Sequence, residues 1–405
     1  MQSRRFFLAI APLLALALTA GRAAAAELVV WHAYRAEEKA AFEKVVAQYN
    51  AATKGPKVTT LAVPYDAFAD KITAAVPRGK GPDVFIFAQD RLGGWVEAGN
   101  TVEPIDFFLD AAAKARFIPS TMEAMTYRGS VYALPLNYKV ITLIYNKKLV
   151  KVAPRTTGEL VAIAKKLTDQ SAGRFGLAYW HSDFYYHAAL MNGFGGRVFD
   201  PGTKPVLDAP ENVKSLELLL KWLDKDKILP KEPSTALITA LFNEGKAGMV
   251  FSGPWFLGEI AKGVDWGLAR LPTIDEAGGK PMRPWITVEG VFIAAPSQQK
   301  EAAFELVKFL TGAEAGKVMA IEGRQSPAAL AVYQDPRIAG DPVLKAFHDQ
   351  VEVAIPMPNV PEMTMVWSPA TTAMNALVRH ADTPKKTLER AQKQVEKDVA
   401  NLRKR

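Results

Sequence analysis

Short β-rich apolar runs alternate with amphipathic helical stretches from residue 28 onward, and this alternation constrains the fold more than any other feature. Leu28-Val29-Val30-Trp31-His32 reads as a strand, after which Phe42, Val45, Val46 and Tyr49 recur at helical spacing. Val58 to Val63 is a second strand. Asp66 is placed to cap the next helix, whose apolar face carries Phe68, Ile72 and Val76. Asp83 to Phe87 is nearly all apolar, as a parallel strand covered on both faces should be. Such alternation builds right-handed βαβ units and an open α/β sheet. It resumes after Asn146, with helical patterns at Glu159 to Leu167 and Glu211 to Leu223, and around Gly248 to Ser252. Val288 to Pro296 reads as a strand leading into the helix Ala302 to Leu310. The tail helix opens at Pro384 and lines up Leu388, Ala391, Val395, Val399 and Leu402 on one face. The chain has 405 residues, enough for about two domains. Ligands in such folds bind in crevices at strand C-termini or between lobes.

The first 26 residues read differently. Arg4 and Arg5 precede an apolar run from Phe6 to Ala20, followed by Gly21, Arg22 and the small residues Ala23 to Ala26. This is the charged region, apolar core and A-x-A site of a signal peptide, too short for a bilayer span of about 20 apolar residues. Export, with a mature chain beginning near Glu27, is the expectation. Ser3-Arg4-Arg5-Phe6-Phe7-Leu8 also fits a twin-arginine signal, so both export routes stay open. Taking Arg4, Arg5 and Arg22 away from the formal charge of +8 leaves +5, with both signs interspersed. That modest excess does not point to nucleic acid. There is no cysteine, which excludes disulfides and an anchor built on an N-terminal cysteine.

Catalytic signatures are missing. The chain contains no G-x-S-x-G elbow, no H-E-x-x-H, no phosphate-cradling G-x-x-x-x-G-K-[ST] and no G-x-G-x-x-G after a strand. Of five histidines the nearest pair, His181 and His187, is six residues apart, whereas a helix places metal ligands at three or four. No cofactor and no metal are expected. A glycosidase carboxylate pair is defined by its separation in space, so a secreted glycoside hydrolase stays open as an alternative. The aromatic residues say more. Trp180, Phe184, Tyr185 and Tyr186 fall in one segment with His181, Asp183 and His187, while Trp255 follows a strand and Trp367 a proline-rich stretch. A sugar ring stacks its C–H face on an aromatic while polar groups bond its hydroxyls; the same aromatics, taken singly, serve equally as core.

Longer blocks carry a resemblance. Gly81-Pro82-Asp83-Val84-Phe85-Ile86-Phe87-Ala88-Gln89-Asp90-Arg91-Leu92-Gly93-Gly94-Trp95 resembles the strand-and-loop signature of maltose/maltodextrin-binding proteins. So do Ala133 to Leu136 leading to Leu143-Ile144-Tyr145-Asn146-Lys147, and Phe242-Asn243-Glu244-Gly245 leading to Ser252-Gly253-Pro254-Trp255. Asp335 to Ile338, then Met357 to Pro361 leading to Trp367, complete the set in family order through essentially the whole mature chain.

The resemblance implies a two-lobed periplasmic-binding-protein fold. Each lobe would be an open mixed sheet flanked by helices, joined by a multi-strand hinge, with residues 27–138 and 287–328 in the first lobe and 139–286 and 329–405 in the second. It implies a monomeric, non-enzymatic periplasmic protein that binds a maltodextrin-type oligosaccharide and delivers it to the permease subunits of an ABC importer. A different oligosaccharide, sugar derivative or polyol is the alternative within that class. By the same resemblance Asp90 and Arg91 would bind sugar hydroxyls, with Asp83 structural. Phe87 stands in place of a site-lining tryptophan. Tyr185, Trp255 and Trp367 would stack, Tyr186 would neighbour them, and Asp183 would replace a glutamate. Four departures concern specificity. Lys139 replaces a hydroxyl-binding glutamate, Ser368 an aromatic and Thr371 an arginine, and the loop Trp31 to Arg35 lacks the family's Asp-Lys pair. Lys139 either pairs with Asp183 or Asp90, or faces the ligand.

Overall fold

The computed structural model describes residues 27–404, so the expected signal peptide lies outside the described residues. Six strands run in the order Ser326–Pro327, Ala133–Val140, Trp285–Ile293, Val84–Ala88, Leu28–His32 and Val58–Ala62, and Ile355–Pro356 joins Trp285–Ile293 as a seventh. The strands Leu28–His32, Val58–Ala62 and Val84–Ala88 pair in parallel, as the alternation requires. Trp285–Ile293 enters antiparallel between Val84–Ala88 and Ala133–Val140, which makes the sheet mixed. A second sheet orders Trp266–Ala269, Thr142–Asn146, Ala247–Ser252 and Phe175–Ala178. This is a two-lobed α/β fold.

Local chemistry accounts for the elements. All five residues of Val84–Ala88 are buried, consistent with cover on both faces. Asp83, just before it, accepts from the Val29 N–H (3.0 Å) and the Ser297 hydroxyl (2.6 Å), a structural knot at the sheet edge. The helix Tyr65–Ala75 starts one residue earlier than its expected cap, so Asp66 falls inside the first turn. In the second lobe the Thr156 hydroxyl caps Thr157–Leu167 through the Glu159 N–H. A Cβ on Gly176 would lie 2.1 Å from Ala164 Cα, so only glycine lets the strand Phe175–Ala178 approach that helix so closely.

The chain passes between the sheets at Ile141, where Ala133–Val140 ends and Thr142–Asn146 begins. Trp285 packs in the core of the second lobe, while Ile286 and Val288 belong to that of the first. The segment after residue 328 departs from expectation. Val332, Ile338 and Leu344 bury against Leu28, Val30 and Val84, and Phe347 and Val351 join Phe85 and Phe292, so this stretch packs on the first sheet rather than in the second lobe. From Met357 onward the buried residues join the second core, and Trp367–Val378 and Pro384–Leu402 complete it through Ala370, Met374, Leu388, Val395 and Val399. A helical pattern encodes an apolar face but not which of two cores that face will meet.

Candidate functional site

The crossing strand Trp285–Ile293 presents Trp285, Thr287 and Glu289 on one face, since side chains alternate along a strand. Its neighbour Ala133–Val140 sets Lys139 opposite Thr287 and Asn137 opposite Glu289. These residues form a floor, and each lobe adds a wall.

The second-lobe wall is aromatic. Asp183 caps the helix Phe184–Gly193 by accepting from the Tyr185 N–H (2.9 Å), which fixes where Tyr185 and Tyr186 project. Burial raises the Asp183 carboxyl above the ordinary range, against the Tyr185 and Tyr186 backbone donors. Trp255 lies in the short helix after Gly253 and is 41% exposed; its indole N–H donates to the Tyr186 hydroxyl (3.3 Å). The Tyr185 ring centroid is 6.2 Å from Trp255 and 6.3 Å from Trp285. Trp367, the first residue of Trp367–Val378, meets Trp285 edge-on at 5.8 Å. Burial, chiefly, pushes the Tyr185 phenol well up, and its hydroxyl lies 3.5 Å from that of Thr287 on the floor.

The first-lobe wall is charged. Asp90 and Arg91 follow the strand Val84–Ala88, with Arg91 Nε 3.4 Å from Asp90 Oδ2. Burial raises the Asp90 carboxyl, and Arg91 pulls it back. Lys139 pairs with neither Asp183 nor Asp90. Its ammonium lies 3.1 Å from Glu289 and 3.7 Å from Glu38. Burial draws the Lys139 pKa down, but Glu289 and then Glu38 outweigh it and leave the ammonium above its ordinary value. Glu38 also accepts from Gln325 (2.7 Å), and Asn137 donates to Gln325 (3.0 Å) and to the Tyr34 hydroxyl (3.1 Å). Phe87 sits beneath this wall, 5% exposed and stacked on Phe68 at 4.7 Å; the ring above it is Tyr65, 5.0 Å away and 52% exposed.

Asp90, Arg91 and Lys139 thus share one wall, and Asp183, Tyr185, Tyr186, Trp255 and Trp367 share the other. Trp285, Thr287, Glu289 and Tyr65 join the same surroundings. Sequence reasoning passed over these four because none lies in a block that carried the resemblance; only the alternation along the crossing strand could have signalled the first three. His181 and His187 turn to separate partners, the Pro230 carbonyl (2.8 Å) and the Ser215 hydroxyl (2.9 Å). Among the described residues no group of three or more His, Cys, Asp or Glu could hold a metal ion.

Residues 32–317 match the model of the bacterial extracellular solute-binding protein family. The chain belongs to that family. Its members are exported binding proteins. Over 88% of its length the chain is 33% identical to the maltotriose-binding protein of Pyrococcus abyssi, covering 79% of that protein. It is 29% identical to the galactooligosaccharide-binding protein of Bacillus subtilis, covering 90% of this chain and 87% of that one. Among solved structures, a cyclo/maltodextrin-binding protein complexed with maltotetraose superposes with a TM-score of 0.85 at 32% identity, over 92% of this chain and 97% of that one. The extracellular solute-binding protein of Staphylococcus aureus in complex with maltose gives 0.82 at 31% identity, over 93% and 98%.

Proposed function

We propose that this protein is the periplasmic substrate-binding component of an ABC importer and captures a maltodextrin-type oligosaccharide in the cleft between its lobes. The observation that carries this reading is the pairing of an aromatic wall (Tyr185, Tyr186, Trp255, Trp367) with a wall of charged hydrogen-bonding groups (Asp90, Arg91, Lys139) across a shared floor. Pyranose faces stack on the first while ring hydroxyls bond the second. Asp183 fixes the aromatic wall, and Phe87 supports the charged one from below.

A ligand touching both walls stabilises the closed arrangement over the open one, so binding drives closure about the crossings near Ile141, Trp285 and Ile355. The loaded, closed monomer would then dock on the importer's permease subunits. No bond is made or broken in this scheme. The relatives named for maltotriose and galactooligosaccharide bracket the sugar class. A thermal-shift panel tests the class, because ligand that binds only the native state adds RT ln(1 + [L]/Kd). Maltotriose and longer maltodextrins should raise the melting temperature. A panel in which only non-carbohydrate solutes do so, or in which the sugars are hydrolysed, would refute the reading.

A further inference from the structure

The second sheet has two ends, and only one faces the cleft. At that end Thr142 pairs with Ser252, next to the crossing at Ile141 and the segment that carries Trp255. At the other end, one strand length or about 13 Å away, Asn146 pairs with Trp266 and Phe175 with Ala247. Basic residues flank this far edge. Lys147 and Lys148 follow Asn146, Lys246 precedes Ala247, and Arg174 precedes Phe175. Lys165 and Lys166 join them from the last turn of the helix Thr157–Leu167. A Cβ on Gly248 would lie 2.5 Å from the Leu167 side chain and 3.5 Å from that of Val150, so this helix end and the loop after Asn146 meet over one spot.

The loop from Lys147 to Val152 mixes cations with apolar side chains and is held in place. The Asn146 side chain accepts from the Lys148 N–H (2.9 Å), its carbonyl accepts from Leu149 (3.0 Å) and Val150 (2.8 Å), and Val150 is buried. Leu149 and Val152 are thereby turned outward, 37% and 72% exposed. Four ion pairs cancel on this edge: Lys147–Asp265, Lys165–Asp226, Arg174–Asp169 and Lys246–Glu244. Lys227 is placed beside them by the Gln170 amide, which donates to its carbonyl (3.0 Å). Among the described residues Lys148, Lys151, Lys166 and Lys227 form no ion pair, so the edge keeps an excess of positive charge. Exposed apolar side chains among uncompensated lysines match the headgroup layer of an anionic bilayer, where the former insert and the latter meet phosphate. A purely ionic partner would leave Val152 in water.

We propose that this far edge of the second lobe is a docking face for anionic lipid, with Leu149 and Val152 entering the headgroup layer and Lys148, Lys151, Lys166 and Lys227 contacting phosphates. The cleft opens at the opposite end of the sheet, so docking leaves it free whatever solute it takes. The test is cosedimentation of the mature chain with vesicles of phosphatidylcholine, alone or mixed in equal parts with phosphatidylglycerol, at low and high salt. The wild type should bind only the mixed vesicles and should leave them at about 1 M salt, where charges are screened beyond about 3 Å. Each lysine beside an anionic surface contributes about fivefold, so Lys148→Gln/Lys151→Gln/Lys166→Gln should weaken binding about a hundredfold. Val152→Ser should weaken it severalfold and leave its salt dependence unchanged. Lys54→Gln/Arg78→Gln/Lys80→Gln removes the same charge from exposed positions of the first lobe and should bind nearly as the wild type does. Binding to the neutral vesicles, no binding to the mixed ones, or equal losses in the two triple variants would overturn the docking face. Self-association of the free chain that the first triple variant abolishes would overturn it too, by giving the face to a second copy.

Discussion

The indole of Trp367 meets that of Trp285 edge-on, with ring centroids 5.8 Å apart and planes at 79°. Trp285 begins the strand that crosses between the lobes, and Trp367 opens a helix of the second core, so a proposed stacking residue is held directly by the hinge. The closure proposed above would therefore act on the aromatic wall through this contact.

Trp367→Ala and Trp255→Ala should each weaken oligosaccharide binding by about 2 kcal/mol, roughly thirtyfold in Kd. Trp255 is 41% exposed, so its removal should leave the free protein's melting temperature unchanged; Trp367, packed on Trp285, should lower it modestly. Calorimetry and thermal melts of both variants check this. Affinity that survives both substitutions would show that these indoles only pack.

Lys139→Met isolates the ion cluster. It strands Glu289, whose side chain is 10% exposed, and deprives Glu38 of its cation. Breaking a largely buried pair leaves a carboxylate uncompensated, and with Lys139 26% exposed the cost is about 2 kcal/mol. The expected outcome is a lower melting temperature and a loss of affinity shared by maltose, maltotriose and trehalose. Strong maltose binding that Lys139→Met leaves unchanged would contradict the role given to the cluster.

Two of the buried histidines, His187 and His32, contribute to the acid limb of stability. Burial, followed by the nearby His181, pushes His187 down to about 3. Burial pushes His32 down to about 4, with Glu43 opposing and Lys39 reinforcing. Both titrate near 6.5 when unfolded, so the unfolded chain binds their protons first as pH falls. The native state's advantage is full above about pH 6.5 and is lost as pH drops toward 4 for His32 and 3 for His187, by about 1.4 kcal/mol per pH unit for each. The raised carboxyls of Asp90 and Asp183 act in the opposite sense, because their neutral forms suit the fold. Urea unfolding between pH 8 and pH 5 should show declining stability, with a shallower decline in His187→Gln. An equal slope in that variant would remove His187 from the account.

The elements were legible where one residue's neighbours in sequence decide its environment. Leu28–His32 forms where its apolar run predicts, and Val84–Ala88 lies within one residue of its predicted bounds. What the chain hides is pairing at a distance. Lys139 reads as an unexplained cation because Glu289 is 150 positions away, brought opposite only by the register of two antiparallel strands. Val332, Ile338 and Leu344 lie in the stretch just before Met357, where the chain rejoins the second core, and nothing local says which core takes them. Phe87 carries the resemblance to a site-lining residue, yet Tyr65 from another element covers it.

Calorimetric titration of the mature chain with maltotriose tests the central claim most directly. The account predicts one saturable site per chain, with no turnover of the sugar and with binding weakened roughly thirtyfold in Trp255→Ala. Absence of binding to maltotriose and to longer maltodextrins, or release of shorter sugars from them, would contradict it.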